Sequence, residues 1–172
     1  MPGADEVLDE LAGSGVRICV ISSISHRQLS TFLTALGWQD RVSLVLGADD
    51  VPRGCSAPDP ILQAMLRLGV DDVREAVVVQ STDSGVRSGR AAGAGLVAAV
   101  LTGTHPATRL RQAGATHVLA SIADVPAILA GTAEPGLAAA RVTAPREAPE
   151  ATAAASRADD GRAVRRVGPA LS

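Results

Sequence analysis

Short apolar runs alternate with amphipathic segments along the first 130 residues of the chain. The apolar runs predict five strands: Val16–Ile21, Val42–Leu46, Ala76–Val79, Leu96–Leu101 and an edge strand at His117–Leu119. Apolar residues at helical spacing predict six helices: Asp5–Ala12, Arg27–Leu36, Asp59–Leu68, Arg87–Ala94, Arg109–Ala113 and Val125–Ala130. Strands that alternate with helices in this way are joined by right-handed crossovers, so the pattern predicts an α/β fold with a parallel sheet between helices.

One strand and the turn after it mark the expected ligand edge of that sheet. Ala76–Val79 is uniformly apolar, which is typical of a strand buried on both faces of a parallel sheet. The polar sequence Gln-Ser-Thr-Asp-Ser-Gly follows it at positions 80–85. Ligands of open α/β sheets bind beyond the carboxyl ends of the strands, so this turn is the expected position of a site.

The length and composition predict one modest domain followed by a tail. The chain has 172 residues, of which 47% are hydrophobic and 20% charged, which is enough for one core. The periodic pattern stops beyond residue 130, where Ala, Pro, Arg and Glu predominate and large apolar residues are few. Residues 1–130 are therefore predicted to form the core domain and residues 131–172 a disordered tail.

Composition also narrows the class of partner and the compartment. The formal net charge of −2 and the lack of Tyr, with a single Phe and a single Trp, argue against nucleic-acid binding. No apolar stretch approaches the roughly 20 residues of a membrane span, so no membrane association is expected. Cys19 and Cys55 lack metal-ligand spacing and are expected to be reduced thiols in a cytoplasmic protein.

Three stretches resemble the haloacid dehalogenase superfamily, and within it the phosphonoacetaldehyde-hydrolase-like branch. They are VRICVISS from Val16, GADDVPRGCSAPDPILQAMLRLGV from Gly47, and the long stretch from Val77 to Leu129, which contains GRAAGAG and LTGTHPATRL. The resemblance implies a Rossmann-like core. It also implies an Mg²⁺-dependent hydrolase of a small phosphorylated or phosphonate substrate, built from four motifs.

The first motif of that family, an aspartate pair on the opening strand, has no counterpart in this sequence. No DxDxT-like sequence occurs, so the resemblance implies an N-terminally truncated chain that lacks the nucleophile, the cap domain and the first, central strand. In the family that strand lies between those predicted here at Val16–Ile21 and Ala76–Val79. These two strands are then expected either to pair directly or to expose apolar edges to a partner strand.

The second and third motifs hold the phosphoryl group. Ser22 or Ser23 matches the hydroxyl of the second motif, although serines in such a turn also cap helices. The position of the third motif's cation is occupied by Cys55, and Arg53 is the candidate substitute. His26 is expected to be a solvent-facing residue in the first turn of a helix.

The fourth motif, Gly-Asp-x-x-x-Asp, supplies the carboxylates that hold Mg²⁺ in the family. The matching positions 80–85 contain Ser81 and Gly85 where the acids belong. Asp83 lies between them and is a candidate displaced ligand, and Ser81 is a candidate water-mediated one. An Asp in a turn before a helix is more often a cap, so Mg²⁺ binding is expected to be weak or absent.

Three hypotheses about function follow. The chain is a catalytically inactive remnant or pseudoenzyme, because nucleophile, metal acids and the usual cation are all replaced. Alternatively, it is an Mg²⁺-dependent phosphatase- or phosphonatase-type hydrolase of a small phosphorylated metabolite once an N-terminal segment completes it. The third hypothesis is an interaction module whose exposed sheet edge binds a protein partner or a second copy of the chain.

Overall fold

A computed structural model describes residues 3–131, which contain six α-helices and five strands. The helices are α1 (Ala4–Gly13), α2 (His26–Ala35), α3 (Asp59–Leu68), α4 (Asp83–Ala91), α5 (Ala107–Gln112) and α6 (Val125–Gly131). The strands are β1 (Cys19–Ile21), β2 (Leu44–Leu46), β3 (Val77–Gln80), β4 (Leu96–Val100) and β5 (His117–Leu119). The prediction of a disordered tail falls on residues 132–172, which lie outside the described residues, and Gly131 ends α6.

Local capping explains where the helices begin and end. Ser25 caps α2 in a reciprocal capping box with Gln28, and Gly69 ends α3 with a left-handed φ of 65°. The predicted bounds of α3 are confirmed. Helix α4 begins four residues before its predicted start because the Thr82 side chain accepts a hydrogen bond from the Gly85 N–H and caps the helix there.

The strands form two parallel sheets, which confirms the predicted α/β class. One sheet contains β1 and β2, with Cys19 opposite Leu44, and the other has the order β3–β4–β5, with Val78 opposite Val97. Within residues 3–131, β1 and β3 belong to different sheets and do not pair. Of the two expected arrangements of these strands, direct pairing is therefore wrong for the described chain.

Burial follows from this interruption of the sheet. Every residue of β4 is buried, whereas β1 is half-buried throughout and Val78 is the one fully buried residue of β3. The prediction that Ala76–Val79 is buried on both faces is therefore wrong for most of that strand. The reason is that β3 lies at the edge of its sheet and has a strand neighbour on one side alone.

Helices, rather than strand pairing, join the two sheets. Helix α3 contacts β1 and β2, and its Ile61 and Met65 lie in one buried cluster with Val78 and Val97 of the other sheet. On α1, Asp5 accepts hydrogen bonds from the Trp38 indole N–H and from Arg41, two residues that precede β2 in the chain. Helix α1 also contacts α6, which follows β5. Both helices therefore connect elements of the β1–β2 half of the chain with elements of the β3–β4–β5 half.

Candidate functional site

The turns that follow β1, β2, β3 and β4 lie at the carboxyl edges of their sheets and contain the candidate residues. In parallel strands these ends point in one direction, so the sheet order brings each turn close to that of its paired neighbour. The turn after β3 and the loop after β4 form one cluster around Asp83. The turns after β1 and β2 form a second cluster around Asp50.

Asp83 is a buried carboxylate held by two arginine side chains, with a histidine beside it. Its Oδ2 lies 2.8 Å from Nε of Arg109 and 3.1 Å from Nη2 of Arg87, and its Oδ1 lies 3.3 Å from Nδ1 of His105. The Asp83 side chain is 9% exposed, whereas each arginine side chain is 58% exposed. The hydrogen bonds from Arg109 and then Arg87 lower the pKa of Asp83 to about 2, against the opposing effect of burial.

Three contacts of the turn after β3 and the start of α4 bring these groups together. Asp83 is the first residue of α4, and Arg87 lies one turn later on the same helix, a spacing at which side chains of opposite charge meet. The Asp83 backbone N–H donates to Nδ1 of His105 over 3.0 Å, so this contact fixes the loop after β4. A Cβ at Gly103 would lie 2.7 Å from the Ser81 carbonyl oxygen, so the same loop packs tightly against Ser81. Asp83 itself is not the helix cap, contrary to the capping interpretation, because Thr82 fills that role.

Gln80 and Gly85 have complementary sizes. A Cβ at Gly85 would lie 2.6 Å from Cδ and 3.0 Å from Cγ of Gln80. The Gln80 side chain therefore occupies the space in which a side chain at position 85 would begin. The resemblance implies Gly at position 80 and Asp at position 85. This loop instead has the large Gln80 side chain at the first of these positions and a glycine at the last.

The candidate phosphate-binding serines lie in the turn after β1. The Ser22 hydroxyl accepts a long hydrogen bond of 3.5 Å from the Ile24 N–H, and Ser23 is exposed. Ser25, not Ser22 or Ser23, caps α2. Capping therefore does not account for the hydroxyls of Ser22 and Ser23, and their proposed role stays a prediction.

Arg53 is paired with an acidic residue of the same segment. Its Nε lies 2.9 Å from Oδ1 of Asp59, and its Nη2 lies 2.8 Å from Oδ2. This hydrogen-bonded pairing raises the pKa of Arg53 and lowers that of Asp59. Arg53 is 69% exposed and remains a cation, but its charge is balanced by Asp59.

His26 is exposed and lies in the first turn of α2, as expected, and it also has a carboxylate partner. Its Nδ1 lies 2.7 Å from Oδ2 of Asp50, and its backbone N–H donates to Asp49 over 2.6 Å. The Gly47 N–H also donates to Asp50, and this bond and then the His26 ring lower the pKa of Asp50. These contacts join the start of α2 to the end of β2.

The residues of the metal-motif loop do not fit Mg²⁺. This ion takes oxygen ligands at about 2.0–2.1 Å in octahedral geometry, and carboxylates provide most of the attraction. Asp83 is the one acid at positions 80–85, and arginine nitrogens lie within hydrogen-bonding distance of its Oδ2. Among residues 3–131 there is no group of three or more His, Cys, Asp or Glu residues that could hold a metal ion.

Sequence reasoning did not identify the basic residues of the Asp83 cluster. Once α4 is known to begin at Asp83, the spacing of Asp83 and Arg87 on one helix is a sequence signal for their ion pair. His105 and Arg109 follow β4, so their position beyond the neighbouring strand was also a signal. Their contact with Asp83 depends on the path of the loop between β4 and α5, which no local pattern specifies.

Comparison with known proteins gives the family. The sequence model described as "Haloacid dehalogenase-like hydrolase" matches residues 1–99, which is more than half of the chain. The chain belongs to this family. This haloacid dehalogenase-like chain is 32% identical over 156 residues to the phosphonoacetaldehyde hydrolase of Bordetella pertussis, in an alignment covering 76% of this chain and 55% of the relative. It is 30% identical over 99 residues to the bifunctional riboflavin kinase/FMN phosphatase of Arabidopsis thaliana, covering 57% of this chain and 26% of the relative.

Solved structures confirm the haloacid dehalogenase-like fold. A phosphonoacetaldehyde hydrolase-like protein from Oleispira antarctica matches with a TM-score of 0.68 and 24% identity, over 76% of this chain and 56% of that protein. A putative β-phosphoglucomutase from Thermotoga maritima matches with a TM-score of 0.70 and 23% identity, over 77% and 60% of the two chains. The chain thus spans little more than half the length of the phosphonoacetaldehyde hydrolases it matches. No helix within residues 3–131 has the length and apolarity needed to cross a membrane.

Proposed function

We propose that this chain, by itself, is a non-catalytic haloacid dehalogenase-like module. The observation that supports the proposal best is the engagement of Asp83 by Arg109 and Arg87 at 2.8 and 3.1 Å. A carboxylate in such an ion pair would have to release two cations before it could bind Mg²⁺. Ser81 and Gly85 provide no other negative charge in this loop.

The position of the third family motif supports the same proposal. Cys55 occurs where a cation is expected, and a thiol supplies no positive charge. Arg53 is the nearest substitute, and its guanidinium is engaged by Asp59. A phosphoryl group at this edge would therefore lack the usual arrangement of metal and cation that stabilises its transfer.

A hydrolysis assay tests the proposal. The purified chain is incubated with MgCl₂ and p-nitrophenyl phosphate, acetyl phosphate or phosphonoacetaldehyde, and the expected rate equals that of buffer. The decisive controls are Ser22→Ala with Ser23→Ala, and Ser30→Ala as a matched change on α2. Mg²⁺-dependent turnover that the first pair abolishes and Ser30→Ala leaves intact would refute the proposal.

Within residues 3–131, β1 and β3 each have one edge without a strand neighbour, which supports a second candidate function, a module completed by another polypeptide segment. We infer that one parallel strand, from a protein partner or a second copy of the chain, pairs with β1 and β3. Both strands are parallel to their sheet neighbours and neither is fully buried, whereas β4 is buried throughout. For a complex completed in this way, the candidate activity is phosphatase- or phosphonatase-type hydrolysis of a small phosphorylated metabolite.

Complementation tests this second candidate. The chain is co-expressed with the part of the Bordetella pertussis phosphonoacetaldehyde hydrolase that its match does not cover. Co-purification, with slower alkylation of Cys19 on β1, is expected if a strand enters the gap. Light scattering of the chain alone reports self-association. A monomer that ignores the added segment, with unchanged Cys19 alkylation, would contradict strand insertion.

A further inference from the structure

Helix α2 exposes two large apolar side chains on its surface. The helix packs on β2, and its buried residues are Leu29 and Leu33. Phe32 and the C-cap residue Leu36 are instead 60% and 57% exposed. These two residues are one helical turn apart, so their side chains are neighbours. Phe32 is the single phenylalanine of the chain, and it lies outside the core.

The stretch that contains this apolar pair has no charged side chain. Residues 28–39 include no Asp, Glu, Lys or Arg, although 20% of the whole chain is charged. The centres of protein–protein interfaces are depleted in charged residues and enriched in aromatic ones. The outer surface of α2 around Phe32 and Leu36 therefore has the composition of an interface centre.

Charges of opposite sign flank the uncharged stretch. Arg27 precedes it in the first turn of α2, and Asp40 follows it in the turns after the helix; both residues are exposed. Within residues 3–131 neither of them forms an ion pair. Asp40 accepts a hydrogen bond of 3.4 Å from the neighbouring Gln39 side chain. Both charges are thus available to a partner.

The order of these groups along the chain is complementary to its own reversal. The sequence midpoint of Arg27 and Asp40 lies between residues 33 and 34, and that of Phe32 and Leu36 is residue 34. When two such helices pack antiparallel about that point, Phe32 of one lies opposite Leu36 of the other. The same alignment places Arg27 at the carboxyl end of the other helix, where a cation is favoured and where Asp40 follows.

We propose that this surface of α2 is the interface of a twofold-symmetric dimer of the chain, in which the two α2 helices pack antiparallel. A second copy fits better than an unrelated partner, because a twofold interface requires one surface to complement itself. The proposal goes beyond the proposed function and does not depend on it. It also differs from strand insertion, since β1 and β3 take no part in the contact.

Sedimentation velocity of the full chain over about 1 μM to 1 mM tests the dimer. A contact between two short helices belongs to the small interfaces, so a change from monomer to dimer is expected at micromolar concentrations. Trp38 is the single tryptophan of the chain and lies two residues after Leu36, so its fluorescence is expected to change over the same range.

Replacement of one apolar side chain tests the centre of the interface. Phe32→Ser removes a phenyl group from both copies and is expected to raise the dissociation constant about a hundred-fold or more. Leu66→Ser is the matched control, because Leu66 is 75% exposed and lies on α3; it is expected to change the constant less than about two-fold. Urea denaturation of each variant checks that the fold is retained.

Charge reversal tests the antiparallel alignment without touching the apolar groups. Arg27→Asp and Asp40→Arg each place like charges at both ends of the dimer, so each is expected to weaken it by roughly ten-fold at low salt. An equimolar mixture of these two variants forms a heterodimer in which both contacts are attractive, so natural affinity is expected to return. The double variant is also expected to dimerise like the natural chain.

Several results would overturn the proposal. They are a monomer at every concentration, a loss with Leu66→Ser equal to that with Phe32→Ser, and charge variants that mixing does not rescue. A dimer that survives Phe32→Ser and slows alkylation of Cys19 on β1 would place the contact at the strand edges instead. None of these measurements depends on hydrolysis, so the dimer and the non-catalytic function stand or fall separately.

Discussion

The packing of Gln80 against Gly85 predicts strong coupling between these two positions. A Cβ added at position 85 would lie 2.6 Å from Cδ of Gln80, which is closer than real carbon atoms approach. Gly85 is in the first turn of α4 and is buried, so an added methyl group cannot turn towards solvent. Gly85→Ala must therefore displace the Gln80 side chain.

The expected magnitude follows from two opposing effects. Replacing Gly by Ala in a helix stabilises by about 0.5–1 kcal/mol, while overpacking costs about 1–3 kcal/mol. Gly85→Ala alone is thus expected to lower the free energy of unfolding by between about zero and about 2.5 kcal/mol. In the Gln80→Ala background the steric cost disappears, and the same change is expected to stabilise by up to about 1 kcal/mol.

Urea denaturation of the natural chain, both single variants and the double variant measures this coupling. A coupling energy of about 1–3 kcal/mol is expected, since the two side chains compete for one space. Gly13→Ala, at a helix position where an added Cβ meets nothing within 4 Å, is the matched control and should not couple to Gln80. Equal effects of Gly85→Ala in both backgrounds would refute the reasoning.

Three further predictions concern other sites. Gly47→Ala should destabilise by about 1–3 kcal/mol in a thermal or urea melt, because the new Cβ would clash with the His26 backbone and lie 2.6 Å from Cα of His26, whereas Gly54→Ala, in open space, should have little effect. The pKa of Asp83 is lowered from 3.8 to about 2, so its contribution to stability is present above pH 4 and is lost between pH 4 and 2; the stability difference between the natural chain and Asp83→Asn should shrink over that range, and a constant difference would contradict the ion pairs. Burial raises the pKa of Cys19 to about 12, so iodoacetamide at pH 8 should modify it far more slowly in the folded chain than in urea, and equal rates would show that it is accessible.

Much of the architecture could be predicted because it is encoded locally. Helix α3 has its predicted bounds, since the prolines at its start and Gly69 at its end are local signals. Strand β5 has its predicted bounds. The other strands differ from prediction by one to three residues at an end, because the apolar runs and the hydrogen-bonded strand pairing do not end at the same residues. Burial of β3 was mispredicted because it depends on a neighbouring strand and not on the composition of β3 itself.

The candidate site was only partly predictable because its contacts are non-local. The turn after β3 was identified from its position, and Asp83 was singled out within it. The partners Arg109 and His105 are 26 and 22 residues away in sequence, and the partner of His26 is 24 residues away. Such pairs arise from loop paths between elements, on which hydrophobic periodicity carries no information.

The loop at positions 80–85 is internally consistent without metal acids. Gln80 fills the space beside Gly85, and the buried Asp83 is satisfied by Arg109 and Arg87. A buried carboxylate without such partners would destabilise the folded chain by several kcal/mol. The two arginines therefore stabilise the buried Asp83 and also compete with a metal ion for it. The replacements in this loop therefore compensate for one another.

Restoring the family's two acids should consequently fail unless the compensating residues are changed as well. Ser81→Asp with Gly85→Asp places a side chain against Gln80 and two carboxylates within reach of the arginines, so Mg²⁺ affinity by calorimetry is expected to rise little. Adding Gln80→Gly removes the steric conflict, and adding Arg109→Gln removes the competing cation, so the affinity should increase with each step. Neither addition is expected to produce turnover, because neither supplies a nucleophile. If the two acids alone gave tight Mg²⁺ binding, Gln80 and Arg109 would not be the groups that oppose the metal, and the account of this loop as a metal-independent arrangement would be wrong.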